Sequence, residues 1–267
     1  MERYKFSAIH NLYITQSSQS EHLNEGLVIP KRIMEIVDIK NGQEIILTKI
    51  GSGSWKNRIR TFAIEGEDDS NVEVRGSLTQ FLEVGDLTCI IGEAYLSEEE
   101  MNMYKRDELA LFDLGFDPQN NKDNTLFRLD MQYANHTKKD VNISGHEYKI
   151  QKLKRERVLK LFAKSIILGL KVNKTHPDCL QGSAEIPASV MDIAHVRKYK
   201  SVSVYNVDNG GVADTYAVPM PEGIVMTTGA MASFAPLGSI VNIVSYILSD
   251  NSNDILVNKT DGCKICE

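Results

Sequence analysis

The phrase "LNEGLVIPKRIMEI" at 23–36 returns as "CLQGSAEIPASVMDI" at 179–193, and this repetition constrains the fold more than any other feature of the chain. Setting Ile29-Pro30 on Ile186-Pro187 puts Met34 on Met191, Glu35 on Asp192, Ile36 on Ile193 and Gly26 on Ser183. Downstream, "TFAI" (61–64) meets "TYAV" (215–218) and "RGSL" (75–78) meets "TGAM" (228–231). Then "FLEVGDLTCIIGEAYLS" (81–97) meets "FAPLGSIVNIVSYILS" (234–249). Matches in one order at nearly one spacing identify a duplicated domain. A length of 267 residues leaves room for two small cores.

Each copy reads as short strands rich in β-branched and apolar residues: 44–50, 58–64 and 87–96 in the first, 201–207, 214–218 and 239–248 in the second. The proline of each "IP" can open a helix at its first position, with Ile33, Ile36 and Val37, then Val190, Ile193 and Ala194, as the apolar face. Asn209-Gly210 within "VDNGG" signals a tight turn between strands. The expected fold class is all-β with short helices. The expected division is 1–116 for the first copy, 117–154 as a polar linker, 155–250 for the second copy and 251–267 as a flexible tail.

A net charge of -6 and a pI near 5.6 supply no electrostatic footprint for nucleic acid or anionic membrane. The apolar run 161–170 is broken by Lys164 and is far shorter than the roughly 20 residues of a membrane span. No secretory pattern opens the chain, so a cytoplasmic protein is expected. Cys263 and Cys266 form a C-x-x-C, but a closed zinc site needs four ligands and no neighbours supply the other two, so no metal is expected.

The second copy, with "AKS" (163–165), "QGS" (181–183), "NVDNGG" (206–211), "DTYAV" (214–218) and "TGAMA" (228–232), resembles the pyruvoyl-dependent aspartate 1-decarboxylases. The first copy resembles them more faintly through "SAIHNLYITQ" (7–16), "EHLNEG" (21–26) and "RIRTFAIEGE" (58–67). The resemblance implies two tandem double-psi β-barrels, the first degenerate and the second catalytic. It implies self-cleavage at Gly182-Ser183, where the Ser183 hydroxyl attacks the Gly182 carbonyl and leaves a covalent pyruvoyl group at position 183. Gly182, without a side chain, is expected in a strained turn that permits the attack. A pyruvoyl ketone is an electron sink for α-decarboxylation of an amino acid, aspartate or a relative, a carboxy-lyase activity of β-alanine biosynthesis.

By the same resemblance Thr215 assists processing, Tyr216 returns a proton to the carbanion, and Lys164 holds a carboxylate. Ala8 stands opposite Lys164 in copy one, and His10 stands where copy two has Ile166. Thr228, Gly229 and Ala230 take the place of a substrate-binding Asn-Gly-Ala. The arginine that grips a side-chain carboxylate corresponds to Val212 in copy two and to Arg58 in copy one, so Arg58 and His10 are the candidate charged contacts of the substrate. Copy one lacks the serine, and Phe62 replaces the tyrosine. The implied assembly is a homodimer arranged as a pseudo-tetramer of barrels, with a maturation factor allowed for. The alternative is an uncut relative retained as a structural or regulatory binding protein.

Overall fold

The computed structural model describes residues 1–18, 25–51, 58–67, 71–100, 112–116, 126–131, 139–142, 158–180, 182–251 and 258–261. Cys263 and Cys266 lie outside them. The first copy contains β1 (Glu2–Tyr13), β2 (Gln16–Ser18), β3 (Gly26–Pro30), helix α1 (Lys31–Ile36), β4 (Glu44–Lys49), β5 (Arg58–Gly66), β6 (Glu73–Arg75), a 3-10 turn (Gly76–Gln80), β7 (Leu87–Leu96) and β8 (Phe112–Phe116). Strands β9 (Leu126–Met131) and β10 (Lys139–Asn142) follow, within the stretch expected as a linker. The second copy contains β11 (Lys160–Lys171), β12 (Lys174–His176), β13 (Ala184–Pro187), α2 (Ala188–Ile193), β14 (Ser201–Asn206), β15 (Val212–Met220), β16 (Met226–Thr228), α3 (Ala230–Phe234), β17 (Ile240–Ser249) and β18 (Asn258–Asp261). The last of these falls in the stretch expected as a flexible tail.

The two copies have one topology. The order β8-β1-β7-β4-β5-β3-β6-β2 in the first sheet is matched by β18-β11-β17-β14-β15-β13-β16-β12 in the second, with β9 and β10 added to the first at the β8 edge. Parallel and antiparallel pairings agree strand for strand. The chain is thus mostly β, two tandem barrels with short helices, as the repeat predicts. Strand β7 alternates between buried and half-buried positions, the mark of a strand with one covered face. In β17 the run from Val241 to Tyr246 is buried throughout, because the second copy's core covers one face and the first copy covers the other.

Three expectations need correction. Pro30 and Pro187 sit one position before the first helical residue, as N-caps with ψ near 133 and 135, so the extended strand runs through each proline. Ile193, expected on the buried helix face, is exposed, whereas its counterpart Ile36 is buried. The register also moves the match at β1. Bulges fall at Phe6 and at Lys164, and left-handed residues at Asn11 (φ 59) and Gly169 (φ 69), so Phe6 rather than Ala8 corresponds to Lys164, and His10 corresponds to Leu168 rather than Ile166.

A seam joins the copies. Ala163 N donates to Gly42 O at 2.8 Å and Tyr95 N to Leu159 O at 2.8 Å, so the start of β11 is ladder-paired to the first barrel. Phe62 of copy one packs with Ala163, Ile166, Tyr205, Val244 and Tyr246 of copy two, and the buried Tyr205 and Tyr246 hydroxyls share a 2.7 Å hydrogen bond. The Lys160 ammonium, almost fully buried, donates to Asp38 Oδ2 at 2.7 Å and to the Asp38 carbonyl, and lies 4.9 Å from the Phe6 ring centre. Burial pulls Lys160 down to about 8 against the attraction of Asp38. Burial works to raise the Asp38 carboxyl, yet Lys160 and Lys40 hold it below its ordinary value. Glu25, also buried, accepts from Ser77 N (2.9 Å) and Ser77 Oγ (2.9 Å) within its own copy and from Asn242 Nδ2 (2.5 Å) across the seam.

Two outcomes test this seam. Lys160→Met removes a charged hydrogen bond and leaves Asp38 partly uncompensated, so denaturant unfolding should show a loss of about 1.5–3 kcal/mol. For Glu25, burial is the largest influence and raises its carboxyl above 4.5, although the bonds from Ser77 and Asn242 draw it down. The unfolded chain then holds fewer protons than the folded one above that pH, and stability falls as pH rises from 4.5 to the folded value. The melting-temperature difference, wild type minus Glu25→Gln, should decrease across that window. A difference that grows with pH would show that the folded state favours the ionised form.

Candidate active site

Four elements meet at Ser183. It precedes β13, whose Ala184 pairs with both Ala217 of β15 and Thr227 of β16. Because strand side chains alternate, Thr215 points inward from β15 toward the chain before β13, while Tyr216 points outward and is 57% exposed. Thr215 Oγ1 donates to the Gly182 carbonyl oxygen at 2.8 Å. Thr228, at the end of β16, accepts from Ser183 N at 3.0 Å through Oγ1, and the Thr228 and Ser183 hydroxyls lie 2.8 Å apart. Ser183 Oγ also donates to Glu185 Oε1 at 3.3 Å.

These bonds form a consistent relay. Thr228 accepts the Ser183 N–H and donates its own hydroxyl to Ser183 Oγ, which leaves the Ser183 proton for the Glu185 carboxylate. The Gly182 carbonyl is meanwhile polarised by Thr215. Gly229, at φ 54 and ψ -132, occupies a conformation suited to glycine, and it turns the chain from β16 into α3 so that the Ala230 and Met231 amides come up beside Gly182. The strained turn expected at Gly182 is absent. Its φ is not left-handed, and a Cβ there would meet only ordinary contacts, the nearest at 3.5 Å to Met231 N.

The first copy shows the same framework with different side chains. Strand register places Gly26 at the position of Ser183 and Glu25 at that of Gly182. Gly26 has φ 133, and a Cβ would come within 2.8 Å of the Phe62 carbonyl, so serine cannot be restored there without moving β5. The Glu25 carboxylate fills the space beside Gly76 and Ser77, the counterparts of Gly229 and Ala230. Thr61 keeps the place of Thr215, but its buried hydroxyl has no hydrogen-bond partner among the described residues.

Of the residues selected from sequence, the structure brings Gly182, Ser183, Thr215 and Thr228 into direct contact, with Gly229 and Ala230 beside them. It does not bring the other four to Ser183: Tyr216 points outward from β15, and Lys164, Arg58 and His10 lie elsewhere. Lys164 lines a cavity of about 620 Å³ with Asp192, His195, Arg197 and Lys198. Arg58 lines another, of about 590 Å³, at the junction of the copies with Arg60, Val212 and Asp214. His10 Nδ1 lies 3.3 Å from Cys89 Sγ. Sequence reasoning missed Glu185, although a carboxylate two residues beyond the serine in an extended run must face the same side, and this spacing is visible in "GSAE".

No helix of the described residues is long and apolar enough to cross a membrane. The sequence profile of the family described as Aspartate decarboxylase matches residues 1–113 and 159–260, once on each copy. Similar curated proteins include aspartate 1-decarboxylase of Methylococcus capsulatus, 38% identical over 69 residues that make up 25% of this chain and 55% of that protein. That of Hydrogenovibrio crunogenus is 34% identical over 83 residues, 30% of this chain and 64% of the relative. That of Thermoanaerobacter pseudethanolicus is 31% identical over 107 residues, 39% of this chain and 87% of the relative. The first two alignments therefore span less than two thirds of the relatives' own lengths. Matched over both copies and over more than half its length, the chain belongs to the aspartate decarboxylase family.

Proposed function

We propose that the chain is a self-processing α-decarboxylase of aspartate or a related amino acid, with a pyruvoyl group formed from Ser183 of the second copy. The observation that carries this reading is the set of bonds around one peptide: Thr215 on the Gly182 carbonyl, with Thr228 and Glu185 on the Ser183 hydroxyl. Glu185 takes the hydroxyl proton as Ser183 Oγ attacks the Gly182 carbonyl carbon, and Thr215 stabilises the charge that develops on the carbonyl oxygen. The Gly182–Ser183 C–N bond breaks, the Ser183 nitrogen is protonated, and an ester replaces the amide. Loss of the Ser183 Cα proton then breaks the Cβ–Oγ bond and frees the Gly182 carboxylate. Water hydrolyses the resulting dehydroalanine, with release of ammonia.

The pyruvoyl ketone supplies an electron sink for an amine substrate. The residues that serve it are Tyr216, as proton donor to the substrate α-carbon, and the Ala230 amide with Thr228, as hydrogen-bond groups around the site. Lys164 enters the reading as a cation for a carboxylate. Two copies of the chain form a homodimer of four barrels. In copy one Phe62 is buried against copy two and Val212 packs with it, whereas their counterparts are the exposed Tyr216 and Arg58. Repeating the seam between chains brings Arg58 of one chain to Tyr216 of the other, where a guanidinium can grip a substrate carboxylate.

Mass spectrometry of purified wild-type protein should find two fragments, one ending at Gly182 and the other beginning with a pyruvoyl group at position 183. Ser183→Ala should remain whole. A wild-type chain left whole after long incubation, with host extract supplied as a source of any maturation factor, would instead support the uncut binding-protein reading. Arg58→Ala should be cut normally, but kcat/KM for an acidic amino acid should fall roughly ten- to more than a hundredfold, the worth of a charged hydrogen bond of about 1.5–3 kcal/mol. Unchanged turnover would remove Arg58 from the site.

A further inference from the structure

The seam uses one set of positions that occurs twice in the chain, and among the described residues only one occurrence is satisfied internally. Glu2 lies opposite Leu96 and Lys160 opposite Ser249 in matching ladders, so Met1 and Glu2 are the counterparts of Leu159 and Lys160. The latter pair is covered by copy one through Tyr95 and Asp38. Met1 and Glu2 are exposed, and among the described residues the Glu2 carboxylate accepts a hydrogen bond from the Tyr4 hydroxyl, 2.7 Å away. The receiving surface is divided in the same way. Ala94, buried under the seam, corresponds to the partly exposed Ile247, and Tyr95 to Leu248. Gly42, which receives the Ala163 N–H, corresponds to Tyr199, 65% exposed. Asp38 corresponds to His195, and both have φ 53.

The two central charges are exchanged: Lys160 becomes Glu2 and Asp38 becomes His195, while Lys40 and its counterpart Arg197 are both basic. Within the chain a cation of copy two, Lys160, meets the carboxylate of Asp38 on copy one, which Lys40 also pairs. The corresponding site on copy two is the cavity lined by Lys164, Asp192, His195, Arg197 and Lys198, four basic groups and one acid, and the residue that would enter it is the anion Glu2. We propose that a second copy of the chain docks the Met1–Lys5 edge of its β1 onto residues 195–200 and the end of β17, with its Glu2 carboxylate in this cavity. The proposal rests on the homodimer reading and names its surface. The opposite pairings, Lys160 against the basic cavity or Glu2 against Asp38, bring like charges together, so copies one and two must alternate around the assembly. The same placement sets Cys89 and His10 of the second copy against Gly182, as Asn242 lies against Glu25, so the site at Ser183 is incomplete in a single chain.

Sedimentation or light scattering across a concentration series tests the surface. Wild type should be a dimer, and Glu2→Lys should raise the dimer dissociation constant at least about tenfold. The double variant Arg197→Glu/Lys198→Glu should do the same, and Glu2→Lys combined with that double variant should restore dimers. Circular dichroism should remain native in each case. Glu2→Lys with an unchanged dissociation constant, in a wild type that is dimeric, would overturn this surface and leave the homodimer standing. A combined variant no tighter than the single ones would also overturn it. A monomeric wild type would end both readings, while cutting at Gly182 is scored independently by mass.

Discussion

Two backbone hydrogen bonds, Ala163 N to Gly42 O and Tyr95 N to Leu159 O, attach the opening strand of the second barrel to the first. The rest of the architecture depends on that strand addition. It brings Phe62 under Tyr205 and Tyr246, sets Lys160 on Asp38, and carries Asn242 to Glu25. Backbone groups removed from water must be paired, so the seam is fixed by main-chain geometry and not by side-chain chemistry alone. Side chains on either side were therefore free to diverge, and they diverged in charge.

The divergence also separates the two equivalent sites, at Ser183 and at Gly26. In copy two, Gly182 leaves the Ala230 and Met231 amides uncovered beside Ser183, and Thr215 donates to the Gly182 carbonyl. In copy one, Glu25 occupies that space and spends its oxygens on Ser77 and Asn242. This carboxylate ties the two barrels together. Burying a carboxylate is costly unless it is hydrogen-bonded, and three donors converge on this one.

Much of the fold was legible beforehand because half-covered strands alternate and because a repeated phrase implies a repeated shape. Strand β7 was found with its true limits, and β4 and β14 ended within one residue of expectation. Gly182, Ser183 and Thr215 could be found from their order along two matching segments. Ladder register was harder to read. Single-residue bulges at Phe6 and Lys164 leave no mark in composition, and they moved the partner of Lys164 from Ala8 to Phe6 and that of His10 from Ile166 to Leu168. The shared face of Glu185 and Ser183 is legible in the spacing of "GSAE", and only their 3.3 Å separation needed the structure.

The amino-acid sequence by itself determined the duplication, the mostly β character and the single copy that retains a hydroxyl, since all three are properties of order and periodicity. Tertiary structure alone decided which of the selected residues touch. Thr228 joins Ser183, while Lys164, Arg58 and His10 are directed to other surfaces. The physical reason is that strand pairing brings residues from distant parts of the chain within hydrogen-bonding range, and a bulge of one residue reverses which face a side chain occupies.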